Sequence, residues 1–370
     1  MKFCIIGAGS GGIAFAVYLS SLGHSIHLYN RSFSRIYEII RKGGIEAEGE
    51  LNGFFPLDYI TQDLSLAIND ADIIMIVIPA FAHATIAEQI APYLENDQII
   101  VLNPGRTFGA IEVFKKIKEK RGSISVYVGE TQTLMFTARQ EHTNKVNILK
   151  IKNSVNFATY PDRYIDYVDK RIKECFPHFN PIQNYLEVTL NNIGCILHPT
   201  LSIFNASAME FGKKFKFYKE GATPKVCNVL ENIEVELNKI FKNLEIKQFH
   251  FIDWAQKSYG VKANSIYETI QKIEAYKEIF APDELITRYF IEDVPTGLVP
   301  ISSLAKYLNV QTPTIDSVIH LSSILCGCNF LKKGRTVQRL KLSQYLNNQL
   351  KNQNLSETVR FKRNSKVLDE

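Results

Sequence analysis

Lys2-Phe3-Cys4-Ile5-Ile6-Gly7-Ala8-Gly9-Ser10-Gly11-Gly12 opens the chain, and its reading decides the fold. A short apolar run at 2–6 leads into G-x-G-x-x-G at Gly7, Gly9 and Gly12. Residues 13–22 then read as a helix stopped by Gly23, and 25–29 form a second apolar run. Strand, glycine turn, helix, strand is the opening of a dinucleotide-binding unit. Gly7 permits the tight turn, Gly9 lets a pyrophosphate approach the backbone, and Gly12 lets helix pack on strand. Ser10 and Gly11 complete the turn, where the helix N-terminus offers free N–H groups and a positive dipole end to a diphosphate. A glycine pattern alone is a weak signal. Here it lies between two strands with a helix behind it.

The end of the second strand separates the two nicotinamide dinucleotides. An Asp or Glu there would take the ribose 2′-hydroxyl; this chain has Asn30, Arg31 and Ser32, with Arg35 one turn on. No carboxylate competes, and Arg31 can pair with a 2′-phosphate. The bland alternative is a solvated surface arginine. NADP(H) is favoured, with NAD(H) as the alternative.

The remaining composition is that of an ordinary globular chain of about two domains: 370 residues, 45% hydrophobic and 22% charged. The net charge of +5 is mild and dispersed, which argues against nucleic acid and suits small anionic substrates. The six cysteines show no paired framework, and Cys326 and Cys328 are too close for a C-x-x-C metal motif. Reduced thiols in a cytoplasmic protein fit best. No metal site is expected, Met1 leaves no room for a leader, and no apolar run approaches the roughly 20 residues of a membrane span.

Along the chain, 73–78 is a continuous apolar run ending at Pro79, as in a strand buried on both faces of a parallel sheet. Residues 98–102 form the next strand and empty into Asn103-Pro104-Gly105-Arg106. Another strand, 123–128, precedes Gly129-Glu130-Thr131, and 146–152 and 155–159 read as final strands. Pro79 and Asn103 thus sit at carboxyl ends of strands, where open α/β sheets bind ligands. The expected class is α/β: a Rossmann-type doubly wound sheet over 1–184, then an all-helical domain over 185–352. Helices are expected at 186–206, 225–244, 266–280, 316–327 and 335–347, and 353–370 reads as a polar, mobile tail.

A nicotinamide enzyme acting on a carbonyl or imine needs a proton donor and a carboxylate anchor. His198 lies inside an otherwise apolar helical stretch and is the best donor; the competing reading is a hydrogen-bonded core histidine. The stretch from Arg288 to Gly297 mixes charges with apolar residues. A carboxylate there could orient His198, raise its pKa and fix its tautomer. An arginine there could hold a substrate carboxylate bidentately. Either could equally be a structural ion pair.

From Gly7 to about Leu342 the chain resembles the opine dehydrogenases of the octopine and nopaline type. The glycine turn, Asn103-Pro104-Gly105-Arg106, Glu130-Thr131-Gln132-Thr133-Leu134 and Ala138-Arg139 carry the resemblance. So do Asn191, His198-Pro199, Arg288, Glu292-Asp293-Val294-Pro295-Thr296-Gly297, Thr312-Pro313 and Gly334-Arg335-Thr336. It implies a helical domain like that of 6-phosphogluconate dehydrogenase, and NAD(P)H-dependent reductive condensation of an amino acid with a 2-oxo acid. By this resemblance His198 is the acid/base residue, Asp293 its partner and Arg288 a carboxylate ligand. Glu130, Thr131 and Asn191 would lie near the substrate, and the protein would act as monomer or homodimer. Met135-Phe136 departs from the proline and aromatic of many members.

Two other functions compete. A reductase of the ketopantoate or glycerol-3-phosphate type would use a lysine early in the helical domain, where this chain has Asn191 and His198. A non-catalytic dinucleotide-sensing protein would have no need of His198, Arg288 and Asp293 together. The cofactor reading is directly testable. A charge-assisted phosphate contact is worth about 1.5–3 kcal/mol, or roughly ten- to a hundredfold. NADPH is therefore expected to give the higher kcat/KM, and Arg31→Ala to narrow the difference; equal or better use of NADH refutes the preference.

Overall fold

The computed structural model describes residues 1–248 and 250–350; the tail expected at 353–370 lies outside the described residues. Eight strands form the main sheet: β1 (Lys2–Ile6), β2 (Ser25–Tyr29), β5 (Tyr59–Thr61), β6 (Ile73–Ile76), β7 (Ile99–Leu102), β8 (Tyr127–Thr131), β11 (Val155–Tyr160) and β12 (Phe179–Pro181). Their order is β12-β11-β8-β7-β6-β1-β2-β5. All neighbours are parallel except β11 against β8. The chain leaves β1 toward β2 on one side and returns as β6 on the other, so the switch of strand order falls beside β1, at the glycine turn.

Alternation along the strands explains why the runs at 2–6 and 73–78 are apolar throughout. Cys4, Ile6, Ile74, Ile76, Ile100 and Leu102 face one core, and Phe3, Ile5, Ile73, Met75, Ile99 and Val101 face another. The first core runs on without interruption into the helices that begin at Tyr185, taking in Leu197, Leu230 and Val299. The second holds the helix Ser10–Ser21.

A second, four-stranded sheet departs from expectation in its strands beyond residue 135. Its order is β4-β3-β10-β9, from β3 (Gly44–Gly49), β4 (Gly53–Pro56), β9 (Phe136–His142) and β10 (Lys145–Ile151). The run at 146–152 belongs here, not at the end of the main sheet. A tight turn makes β9 and β10 an antiparallel hairpin, and β10 pairs with β3 on its other side. Its buried face lies over the Ser10–Ser21 helix, with the rings of Phe136 and Phe15 4.8 Å apart edge to face.

The helical half is more broken than its periodicity suggests. The stretch 186–206 divides into Tyr185–Thr189, Ile193–Phe204 and Ala206–Glu210, because the Asn192 carboxamide caps a new helix at Cys195 N. The helix expected at 266–280 ends at Lys272. After a 3-10 turn at Glu274–Tyr276 the chain runs antiparallel beside 215–217, through Phe217 N to Ile279 O and Ala281 N to Phe215 O. The helix expected from Arg335 starts only at 343. The helices Pro224–Asn243 and Pro313–Leu325 lie close to their expected places.

The glycine turn separates packing from binding. A Cβ on Gly12 would lie 1.7 Å from Gly7 O, whereas one on Gly9 would meet nothing within 4 Å. Overpacking of this kind costs about 1–3 kcal/mol or more. Gly12→Ala should lower Tm, while Gly9→Ala should leave Tm unchanged and weaken dinucleotide binding; the reverse order would contradict this division.

Glu130, expected near substrate, is instead part of the fold. Its Oε2 accepts from Ala110 N (2.6 Å), at the start of the helix Gly109–Lys120, and from the Tyr185 hydroxyl (3.0 Å). Thr131 is likewise buried, its hydroxyl donating to Leu102 O. Burial pushes the Glu130 carboxyl up to about 7, against the lowering effect of Thr189, Ala110 N–H and Tyr185. Its ordinary value is 4.5, so between pH 4.5 and 7 the folded chain holds a proton the unfolded chain has lost. That contribution, roughly 3 kcal/mol, is present at low pH and lost as pH rises through 7. Thermal melts at pH 5 and 8 should show the wild type losing stability relative to Glu130→Gln; identical pH dependence would refute this.

Candidate active site

A cleft of about 480 Å³ opens between the carboxyl ends of the sheet strands and the helical half. Gly9, Ser10 and Gly11 line one end, Pro79 and Asn103 the middle, and His198 and Arg288 the other. Gly7 and Gly12 shape the turn from beneath: a Cβ on Gly7, at φ +118°, would fall 2.4 Å from Val77 O. Asn103 is buried with its Nδ2 donating to Val101 O (2.9 Å), while its Oδ1 has no partner.

His198 is the centre of the far end. It projects from the helix Ile193–Phe204, and its Nδ1 lies 2.7 Å from Asp293 Oδ2. Its Nε2 lies 2.9 Å from the Tyr218 hydroxyl, and its ring stacks on Tyr289 at 4.3 Å. Asp293 stands at the start of a π-helical turn, Val294–Leu298, a local form often found at functional sites. Two glycines let these segments meet. A Cβ on Gly297 would lie 2.2 Å from Cys195 Cβ, and one on Gly194 2.3 Å from Arg106 Nη1.

Arg106 joins the two halves. It is buried, with φ +61°, in the loop after β7. Nε reaches Glu292 Oε1 (3.3 Å), and Nη1 reaches Asp293 Oδ1 (3.2 Å) and Asn192 Oδ1 (3.3 Å). Glu292 also accepts from Ala80 N (3.1 Å). From the opposite side Arg335, 2% exposed, donates to Gly105 O, Thr107 O and Ala80 O and pairs with Glu112.

Electrostatics order the protonation states. Burial pushes the Asp293 carboxyl up, but Arg106, His198 and Arg288 together hold it below its ordinary value. The carboxylate was expected to raise the His198 pKa; instead burial lowers it, outweighing Asp293, with Arg288 and Arg106 adding to the lowering. The imidazole is therefore neutral near pH 7. Facing an ionised carboxylate, Nδ1 carries the proton and Nε2 the lone pair, which accepts from Tyr218.

Other expected residues are placed differently. Asn191 does not line the cleft; its Nδ2 bonds Glu187 O, and the neighbouring Asn192 makes the contacts to Arg106. Asn30 holds the glycine turn from outside, accepting from Ala8 N (3.1 Å) and donating to Ser32 O. Arg31 and Arg35 are exposed beyond β2, and Arg35 borders a shallow groove with Glu38 and His142. Arg288 is exposed at the cleft, with no carboxylate paired to it among the described residues. Tyr218, Asn192 and Lys152 were not singled out in the sequence. Tyr218 lies in a lysine-rich loop with no periodic signal, and Lys152 reads as the end of a strand.

Residues 181–326 match the family model for NAD/NADP octopine/nopaline dehydrogenase, alpha-helical domain, and residues 2–121 that for the NAD-dependent glycerol-3-phosphate dehydrogenase N-terminus. An opine dehydrogenase of Arthrobacter sp. (strain 1C) is 40% identical over 342 residues, 92% of this chain and 95% of that protein. An opine dehydrogenase of Haliotis discus hannai is 27% identical over 313 residues, 76% of each chain. Among solved structures, octopine dehydrogenase with NADH and L-arginine shares the fold at TM-score 0.73 and 18% identity, over 92% of this chain and 95% of that one. NADP+-bound yersinopine dehydrogenase does so at TM-score 0.72 and 15% identity, over 95% and 98%. No helix among the described residues is long and apolar enough to cross a membrane. With the 40% identity running through nearly the whole of both chains, this chain belongs to the opine dehydrogenases, NAD(P)-dependent oxidoreductases that condense an amino acid reductively with a 2-oxo acid.

Proposed function

We propose that His198, Asp293 and Arg288 carry the condensation, that residues 1–184 bind the dinucleotide and 185–352 the substrates, and that NADPH is the preferred reductant. The observation behind this is a single cleft that holds the glycine turn at one end and the His198–Asp293 pair at the other.

The cleft suits a nicotinamide dinucleotide. Gly7 and Gly12 leave no room for side chains beneath the turn, and Gly9 is open above it. The unpartnered Oδ1 of Asn103 would be satisfied by an N–H such as a nicotinamide carboxamide offers. Gly9, Ser10 and Gly11 would hold the diphosphate. Arg31 and Arg35, exposed beside the turn, would meet a 2′-phosphate, with Asn30 keeping a carboxylate out of that position.

An amino acid attacks a ketone only as the free amine. His198 Nε2 takes that proton, through the Tyr218 hydroxyl 2.9 Å away. The imidazolium so formed is stabilised by Asp293, which Arg106 keeps ionised. The same proton then returns to the carbinolamine hydroxyl, which leaves as water and yields the protonated imine. Bound NAD(P)H supplies the hydride that reduces it. Arg288 presents two parallel donors to the carboxylate of the 2-oxo acid, setting its carbonyl toward His198.

A matrix of amino acids against 2-oxo acids, read by NADPH absorbance, tests the reaction and finds the substrate pair. With that pair, His198→Ala should lose about 10²–10⁴-fold in kcat while binding NADPH normally. Asp293→Asn should lose much of the same rate, and the double variant little more. Arg288→Lys should mainly raise the KM for the 2-oxo acid. Near-normal turnover in His198→Ala ends this mechanism.

A further inference from the structure

The condensed product carries two carboxylates, one on each side of the new C–N bond. The roles above place only the one inherited from the 2-oxo acid, at Arg288. The cleft holds three other cations. Arg106 is engaged by Glu292 and Asp293. Arg139 is exposed on β9. Lys152, just beyond β10, is 6% exposed and lines the cleft.

Lys152 is held in an unusual way. Its Nζ donates to Thr133 Oγ1 (3.1 Å) and Leu134 O (2.7 Å), both uncharged, leaving one N–H of the ammonium unassigned. The rings of Trp254 and Tyr259 flank it from the helical half, each centroid 5.9 Å from Nζ. Among the described residues no carboxylate pairs with it. A buried ammonium without a counter-ion is costly, and an arriving anion would offset that cost. Burial, with Arg106, lowers its pKa to about 7, and a bound carboxylate would favour the charged form.

We propose that Lys152 is a substrate-binding residue that holds the α-carboxylate of the amino acid, opposite the Arg288 that holds the 2-oxo acid. The assignment rests on the functional reading above. It makes the cleft a two-cation frame: Arg288 at one carboxylate, Lys152 at the other, and the reacting carbon and nitrogen between them beside His198. Thr133 and Leu134 aim the ammonium, and Trp254 and Tyr259 exclude water from the contact.

The test compares an amino acid with the amine that lacks its carboxylate. In the wild type the amine should be about ten- to a hundredfold poorer in kcat/KM, the value of one charge-assisted contact. In Lys152→Met the two should be nearly equal, through loss of the amino acid and not gain of the amine. KM for NADPH and for the 2-oxo acid should stay unchanged, and Lys152→Arg should restore part of the discrimination. Calorimetry with NADPH present, using the condensed dicarboxylate product and its analogue without the amino-acid carboxylate, gives the same comparison without turnover. Lys152→Met should equalise the two ligands. A merely structural lysine would lower Tm and weaken both ligands alike, and would overturn the proposal. So would a change confined to the KM for NADPH or the 2-oxo acid, or discrimination abolished by Arg139→Gln and not by Lys152→Met. Wild type that turns over and discriminates, with Lys152→Met unchanged, refutes Lys152 alone. Wild type that neither turns over nor binds the dicarboxylate overturns the functional reading, and this assignment with it.

Discussion

Everything at the far end of the cleft depends on the buried contact of Arg106 with Glu292 and Asp293. A guanidinium in a dry interior is tolerable only with its carboxylates in place; removing one partner of such a pair typically costs about 3–5 kcal/mol. Here the partners come from opposite halves of the chain, so the ionic contact fixes their relation. It also sets the chemistry. Because Arg106 holds Asp293 ionised, the imidazole facing that carboxylate can be neutral in burial and still have a definite tautomer. The strained backbone of Arg106, at φ +61°, is held by its surroundings: Thr107 N donates to Thr296 O and Phe108 N to the Thr189 hydroxyl, both in the helical half. Arg335 grips the same loop from behind.

The parts of this architecture legible in the sequence are those governed by local rules. The glycine turn is legible because Gly7 and Gly12 answer to steric demands that no other residue meets. The central strands are legible because both of their faces are buried, so every position is apolar. The strand β9 was missed because only its first residue is fully buried and, apart from Ala138, polar residues fill the rest. The break after Lys272 was missed for another reason. Helical periodicity continues past it, but the chain turns away to bring Tyr276 onto Tyr218, ring centroids 4.1 Å apart, an arrangement decided by residues some 60 positions earlier.

The site divides in the same way. His198, Asp293 and Arg288 stood out as polar residues in apolar or mixed stretches, and the structure gathers all three about the far end of the cleft. Glu130 carries the same surface signal, a carboxylate at a strand end, yet it lies inward and caps a helix. No sequence rule separates the two outcomes, because the inward one depends on a tertiary contact with Gly105, where a Cβ would fall 2.3 Å from Glu130 Oε2. The sign of the His198 shift was missed for a related reason. A sequence can place a carboxylate beside an imidazole, but it cannot weigh that attraction against the cost of desolvating the ring.

The core shared by the sheet and the helices has a consequence for how this protein can be recombined. Ile74, Ile100 and Leu102 belong to the same apolar mass as Leu197, Leu230 and Val299. The two halves are distinct in topology but not in solvent exposure, and cutting near residue 184 would strip one face of the sheet. Exchanging the helical half between relatives to change specificity is therefore not a matter of joining chains at a hinge. A chimera must carry the loop around Arg106, the segment at Arg335 and the sheet face they cover as one unit, since these residues form a single inherited seam.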